Sequence, residues 1–593
     1  MGAFAMVRAG SALPRMMPEG SAVMLFHSAS FRFAAAAIAG LAAIASASAQ
    51  TNAPAAPQMD RDLIEATVPG LQRLYAEHKY TVTQVVKWYL ARIKRYDGIY
   101  KAFETVMDKD ALAAAAREDA DKGASHGPLW GVPIVIKANT SIAGQVTTDG
   151  WEGFTIPGHE LIAPKDAPVV AKLRAAGAIV IGHTNMPDFA NSDESRSSSF
   201  GRTGDAYDVR FSPGGSSSGT VTSVSANMAM LGTGTDTANS IRMPVATSAL
   251  VGVFPTRGLV SIAGIAPLDW MLDNTGPIAR NVTDAAIALG VMAGKEAGDP
   301  PLDRAPADAQ VGSYTEYLKL GGLKGKRIGV PAFVLKGTGT PFHGTPANVP
   351  DWAADKRMAE EVLPLDERTR AGFMKDLDEL RGAGATIVMD DSVLPDAFAR
   401  AAGRIATYSY VREGMEHFLR DFGPAQYHSI ADYQKATGQP ILPNPIGEGA
   451  ANSHIGGVTV PQREIENDSQ AEANYYAPRR RALAMYLETM DRLHLDAYVY
   501  PPIQMPPPDD TMPQDGKLSG GPHSDTGWVN MLGVPAVVVA GGFYSGGLPF
   551  GLEFSGRPWR DGDLLGLAYG FEQATHHRHP PVLVEQGLLA NAP

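Results

Sequence analysis

The sequence predicts an α/β fold in which helices cover a sheet, and three observations carry that expectation. Short apolar runs alternate with longer stretches along most of the chain, and the stretches show the three- and four-residue hydrophobic spacing of helices. Glycine and proline, 63 and 44 of 593 residues, exceed the usual share of about 12 % and call for many tight turns.

Taken in order, residues 50–59 begin as a Pro/Ala-rich tether. Leu63, Ile64, Val68, Leu71 and Leu74, then Val82, Val85, Val86, Tyr89, Leu90 and Ile93, predict helices between 60 and 120. Strands are expected at 132–136, 178–181, 229–231, 327–330, 386–388, 497–500 and 536–540. Residues 334–365 and 436–462 break this rhythm with Gly, Pro and Asn, and loops of that length often serve as lids. No internal repeat is visible.

The N-terminus has a different character. Residues 33–45 form an apolar run after Arg32 and before Ala47-Ser48-Ala49, the order of a secretory signal peptide with an A-x-A cleavage site. At 13 residues the run is shorter than the ~20 of a membrane span. The expectation is a signal over 1–49, export to a bacterial periplasm or beyond, and no stable membrane span after cleavage.

Composition excludes several chemistries. Without cysteine there is no disulfide, thiolate metal site or cysteine nucleophile, so covalent catalysis falls to Ser, Thr, Lys or a carboxylate. A formal charge of −12, with no basic run longer than Arg479-Arg480-Arg481, argues against a nucleic-acid partner.

The densest chemical signal is SPGGSSSGTVTSVSANMAMLGTGTDTANSIRMP at 212–244. A phosphate-cradling P-loop would need Gly-Lys-Ser/Thr, which this region lacks. Gly215-Ser216-Ser217-Ser218-Gly219 fits the G-x-S-x-G nucleophile elbow, but polar, Pro-interrupted residues precede it instead of an apolar strand. A third reading joins this loop to the later serine of T-D-T-A-N-S-I-R and to Lys137, which ends the apolar run GVPIVIK. Burial disfavours an ammonium, so a lysine there is a candidate base.

GVPIVIK, SPGGSSSG, GTDTANSIRMP and PTRG, in this order, resemble the amidase signature family, and the likeness runs from about residue 60 to 582. It implies one large, mixed, twisted sheet flanked by helices on both faces, a single catalytic domain over 60–593, and amide C–N hydrolysis through an acyl-enzyme. The family's Ser-cis-Ser-Lys triad then falls on Ser240, Ser216 and Lys137, as nucleophile, bridging relay and base. Backbone N–H groups of Thr237, Ala238, Asn239 and Ser240 would form the oxyanion hole, where one donor contributes about 3 kcal/mol in other systems. Ser217 is expected to hydrogen-bond within the relay, and Asp236 and Arg242 to fix the loop. The resemblance implies no metal and no organic cofactor, and His576, His577 and His579 read as solvated histidines.

The chain departs from the family pattern in two places. Ala238-Asn239 stands where Gly-Gly is common, which matters if the loop needs left-handed backbone. Ala138 follows the lysine where many relatives have Asp, which removes one attraction for the ammonium.

By the same likeness the partner is a small-molecule amide and the chain a monomer or homodimer. Trp151, Trp270, Met271 and Leu272 are candidate pocket residues for a small or medium hydrophobic amide, anilide or carbamate, with esters as a side activity. Two alternatives stand beside this reading. One is a glutaminase-type amidotransferase component that works with partner subunits, and the other is a non-catalytic binding protein on the same fold.

Overall fold

The computed structural model describes residues 58–121, 126–294, 299, 305–337, 344–361, 363–441, 453–455, 458–512 and 521–581. The expected signal segment lies outside these residues, as do most of the tether and parts of both long loops. Among the described residues, no helix is long and apolar enough to cross a membrane.

The core is one mixed sheet of eleven strands. In chain order they are β1 (Phe103–Val106), β2 (Val132–Lys137), β3 (Ala178–Thr184), β4 (Leu231–Asp236), β5 (Val251–Phe254) and β6 (Asn274–Ala279). They continue as β7 (Arg327–Gly329), β8 (Thr386–Val388), β9 (Ala497–Tyr500), β10 (Ala536–Phe543) and β11 (Pro549–Ser555). Their spatial order is β1-β3-β2-β4-β6-β5-β10-β11-β9-β7-β8. The β3-β2-β4 and β9-β7-β8 pairs are parallel, and the other pairings are antiparallel.

Strands β2, β3, β4 and β6 are buried along their whole length, as strands covered on both faces must be. The helices that matter below are α1 (Val82–Tyr100), α2 (Ser218–Ser225), α3 (Arg242–Ala246), α4 (Glu367–Gly382) and α5 (Asp561–Thr575). Thr81 caps α1 in a capping box with Gln84. Buried α2 is rich in Ser and Thr, and its hydroxyls are satisfied by carbonyls: Thr220 donates to Thr233 O (3.0 Å), Thr222 to Gly204 O (3.0 Å) and Ser225 to Ser248 O (3.0 Å).

Three expectations need correction. The helical region 60–120 is interrupted by β1, because Phe103–Val106 pairs with β3. The strand expected at 229–231 runs instead from Leu231 to Asp236, its start paired with β2 and its whole length, polar half included, paired with β6. Within 334–365, residues Asp351–Glu361 form a helix, so that stretch is not all loop.

Candidate active site

Parallel pairing places the ends of β2 and β4 side by side, and with them Lys137, Thr235 and Asp236. Lys137 is fully buried, and its Nζ lies 2.7 Å from Ser216 Oγ. The same nitrogen donates to Thr235 Oγ1 at 2.7 Å, and Asn139 Nδ2 donates to that oxygen at 3.0 Å. Burial pulls the Lys137 ammonium down to about pKa 7, against the opposing pull of Asp149, Asp236 and Asp273. An amine at that value is free in a large fraction of molecules near neutrality.

Ser216 sits in the turn that leads into α2, and the Gly215–Ser216 peptide is cis. A side chain at Gly215 would lie 2.1 Å from the Glu194 carbonyl, so only glycine lets this loop pass so close to its neighbour. Likewise, a Cβ at Gly234 would lie 2.9 Å from Ser217 Oγ and 2.8 Å from Ile241, and its absence lets β4 meet the serine loop. Ser217 ties the two serine loops together: its N–H donates to Ser240 O at 3.2 Å and its hydroxyl to Thr235 O at 3.3 Å. Among the hydrogen bonds of the described residues, none joins Ser216 Oγ to Ser240 Oγ.

The loop from Asp236 to Arg242 is held from below. Asp236 accepts from the N–H groups of Ile241 (2.9 Å) and Arg242 (3.2 Å) and from the Arg242 guanidinium at 3.1 and 3.2 Å. Arg242, fully buried, also donates to Glu553 (2.9 Å), to Thr526 Oγ1 (2.6 Å) and to the Ala238 carbonyl. Asn530 Nδ2 closes the network on Asp236 Oδ1 at 2.9 Å. Thr237 Oγ1 donates to Asp273 at 2.6 Å. With the carbonyl of Ala238 pulled inward, the N–H groups of Thr237, Ala238, Asn239 and Ser240 meet no protein acceptor among the described residues. Neither Ala238 nor Asn239 has positive φ, so the loop keeps its shape without the glycines common in the family.

Ser240 opens onto a cavity of about 310 Å³ lined by Ala190, Asp193, Ala238, Asn239, Leu268, His523 and neighbouring residues. Its apolar side is Ala190 and Leu268, which pack with Ala138 and Met186. The opposite wall is the segment before helix Trp528–Leu532, where His523 lies 3.0 Å from Asp525. Burial opposes the His523 imidazolium, but the Asp525 contact carries its pKa above the ordinary value.

The aromatic pocket candidates are placed elsewhere. Trp151 packs edge-on against Phe154 (4.9 Å between centroids) within an aromatic cluster that includes Phe189 and Tyr433. Met271 and Leu272 are fully buried and line neither this cavity nor the adjacent one. Trp270 faces that second cavity, of about 580 Å³, against Gly414 and His417. Three chemically important residues carried no sequence signal: Asp273, Asn530 and Asp149. The last is fully buried, both its oxygens lack partners, and its N–H reaches Ala138 O at 3.3 Å. Burial, despite the nearby Lys137, pushes the Asp149 carboxyl well above the usual range. An acid is therefore present beside the lysine although position 138 is alanine. His577, expected to be solvated, contacts Glu379 at 2.6 Å, whereas His576 and His579 are exposed.

The family model described as Amidase matches residues 84–342. A glutamyl-tRNA(Gln) amidotransferase subunit from Symbiobacterium thermophilum is 31 % identical, over 87 % of this chain and 98 % of that protein. Its counterpart from Moorella thermoacetica is 32 % identical over 83 % and 93 %. Among solved structures, the native peptide amidase of Stenotrophomonas maltophilia superposes with a TM-score of 0.67 at 29 % identity, over 87 % of this chain and 98 % of that one.

Proposed function

Because the chain belongs to the amidase signature family, we propose that it cleaves carboxylic amide C–N bonds through an acyl-enzyme on Ser240. The observation that carries this reading is the buried 2.7 Å contact between Lys137 and Ser216, set beside a serine loop whose N–H groups point to no protein acceptor.

A serine hydroxyl is a weak nucleophile near neutrality and needs a base. The Lys137 amine takes the Ser216 proton while Ser216 takes that of Ser240, and Ser240 Oγ bonds to the amide carbon. The carbonyl oxygen becomes an oxyanion received by the N–H groups of 237–240. On collapse the C–N bond breaks, Ser216 returns a proton to the departing amine, and water releases the acid by the same relay. The relay needs Ser240 Oγ to swing onto Ser216, a contact of the kind that commonly tightens only once substrate is bound.

On substrate, Ala190 and Leu268 favour a small or medium acyl group with apolar surface, such as an aliphatic amide, anilide or carbamate. A second reading has specific support. The near end-to-end likeness to amidotransferase subunits favours the alternative of a component that releases ammonia from an amide and works with partner subunits. A free glutamine would need a cation for its carboxylate, and among the residues lining the Ser240 cavity His523 is the side chain able to supply one. Ammonia release from glutamine, measured beside hydrolysis of uncharged amides, anilides, amidated peptides and carbamates with Ser240→Ala as blank, separates the two. Turnover of glutamine alone, enhanced by partner subunits, supports the second reading. Turnover of the uncharged amides by the isolated chain supports the first, and activity that survives Ser240→Ala removes both. Export of the mature chain is part of the proposal, tested by sequencing the N-terminus of the protein recovered from periplasm or medium.

A further inference from the structure

Helix α4 carries Asp376 and Glu379 one turn apart and so on one face. That face meets β10, β11 and α5. Asp376 is completely buried and neither carboxylate oxygen has a hydrogen-bond partner. Its Oδ2 leans against the bare backbone of Gly541 in β10, where a Cβ would stand only 2.5 Å away. Just past the end of α5, His577 Nε2 reaches Glu379 Oε2 at 2.6 Å. One donor atom from each of Asp376, Glu379 and His577 lies within 4.8 Å of the other two.

Two facts here point to a ligand independently. The first is convergence of two carboxylates and an imidazole from elements far apart in sequence. The second is the orphaned Asp376 carboxyl aimed into the same point, since an interior carboxylate without a partner is costly unless a proton or a cation neutralises it, and here two further ligand atoms converge on it. Lys375 does not serve, because its ammonium is placed on Glu379 Oε1, at 3.3 Å.

We propose that Asp376, Glu379 and His577 bind one divalent first-row transition ion, with Zn2+ the best match, which clamps α4 to the chain leaving α5. The donor set decides the class. Two oxygens and one imidazole nitrogen suit Zn2+ and its neighbours, whereas Ca2+ takes six to eight oxygens and Mg2+ keeps most of its water. Three protein ligands leave at least one position for water. On binding, the His577–Glu379 pair must open from 2.6 Å and the Asp376 oxygen, within 4.8 Å of both, must settle so that donors stand about 3.4 Å apart, as tetrahedral metal–ligand distances of about 2.0–2.2 Å require. The site is separate from Lys137, Ser216 and Ser240 and does not depend on the reaction proposed for them.

The test uses the full-length untagged chain, stripped with chelator, dialysed, and titrated calorimetrically with ZnCl2 and separately with MnCl2 and CaCl2. The expected result is one Zn2+ per chain, Mn2+ weaker, Ca2+ without heat, and a rise in melting temperature with Zn2+. His577→Gln lies at a half-buried position and should fold as the wild type does, judged by circular dichroism. Both it and Asp376→Asn should lose Zn2+ affinity by at least about tenfold, since loss of even an outer-shell partner costs about 10–100-fold. A folded wild-type chain that takes up no Zn2+, a Zn2+ site untouched by both substitutions, or tighter binding of Ca2+ would each overturn the assignment.

Discussion

The free amine of Lys137 is the species able to accept a proton, so its titration should govern the rate. Burial places the midpoint at about 7, with Asp149, Asp236 and Asp273 limiting the descent. With that midpoint, about half the molecules hold the free amine at pH 7, about a tenth at pH 6 and about a hundredth at pH 5. For an uncharged amide, kcat/KM should climb close to tenfold per unit from about pH 5 to about pH 6.5 and level off above about pH 8. The assay is initial-rate hydrolysis from pH 5 to 10 at constant ionic strength, with circular dichroism at each pH to exclude unfolding. Lys137→Met should lower the plateau by about 10²–10⁴-fold, the usual worth of a positioned general base. A profile still rising at pH 9, as an ordinary lysine near 10.4 would give, would refute the reasoning. A flat profile with Lys137→Met fully active would refute it as well.

Further expectations concern the groups around the relay. Burial pushes the Asp149 carboxyl well above the usual range and so favours its neutral form, which means that Asp149→Asn should leave the midpoint of the same profile nearly unmoved; a clear move to lower pH would show that Asp149 is an anion that favours the ammonium. Arg242→Met leaves Asp236 and Glu553 buried without their cation and should cost about 3–5 kcal/mol of stability, read from the denaturation midpoint; a loss below about 1 kcal/mol would show that the network does not depend on the guanidinium. Asn239→Gly should keep acylation of Ser240 by a fluorophosphonate, because Asn239 is not in the left-handed region and its side chain is not what shapes the loop; loss of labelling in a folded protein would show that the amide is needed.

Much of this site was legible because each of its groups lies in a short motif of its own. A lysine ending the apolar run 132–137, Ser216 in a glycine-rich loop and Ser240 in GTDTANSIRMP can be seen without knowing the fold. Their partners could not be seen. Thr235 meets Lys137 only because β2 and β4 run side by side, and Asp149 reaches Ala138 only because the intervening loop folds back. The sheet shows the same division. Apolar runs such as 536–540 announced themselves, whereas β6, NTGPIA, reads as a turn. Its Gly276 is there for packing, since a Cβ would lie 1.9 Å from the Val253 carbonyl of the neighbouring strand. Trp151 misled for the opposite reason: a large aromatic ring near a motif is as readily a core residue as a pocket wall, and here it fills an aromatic cluster.

The central claim is that Ser240 carries the acyl group and that Lys137 activates it through Ser216. The direct measurement is reaction of the folded chain with a fluorophosphonate, followed by peptide mapping of the modified residue and its rate of formation. The account predicts a single adduct on Ser240, absent from Ser240→Ala and formed far more slowly in Lys137→Met and Ser216→Ala. An adduct on another serine, or labelling at Ser240 at an unchanged rate in both relay variants, would contradict it.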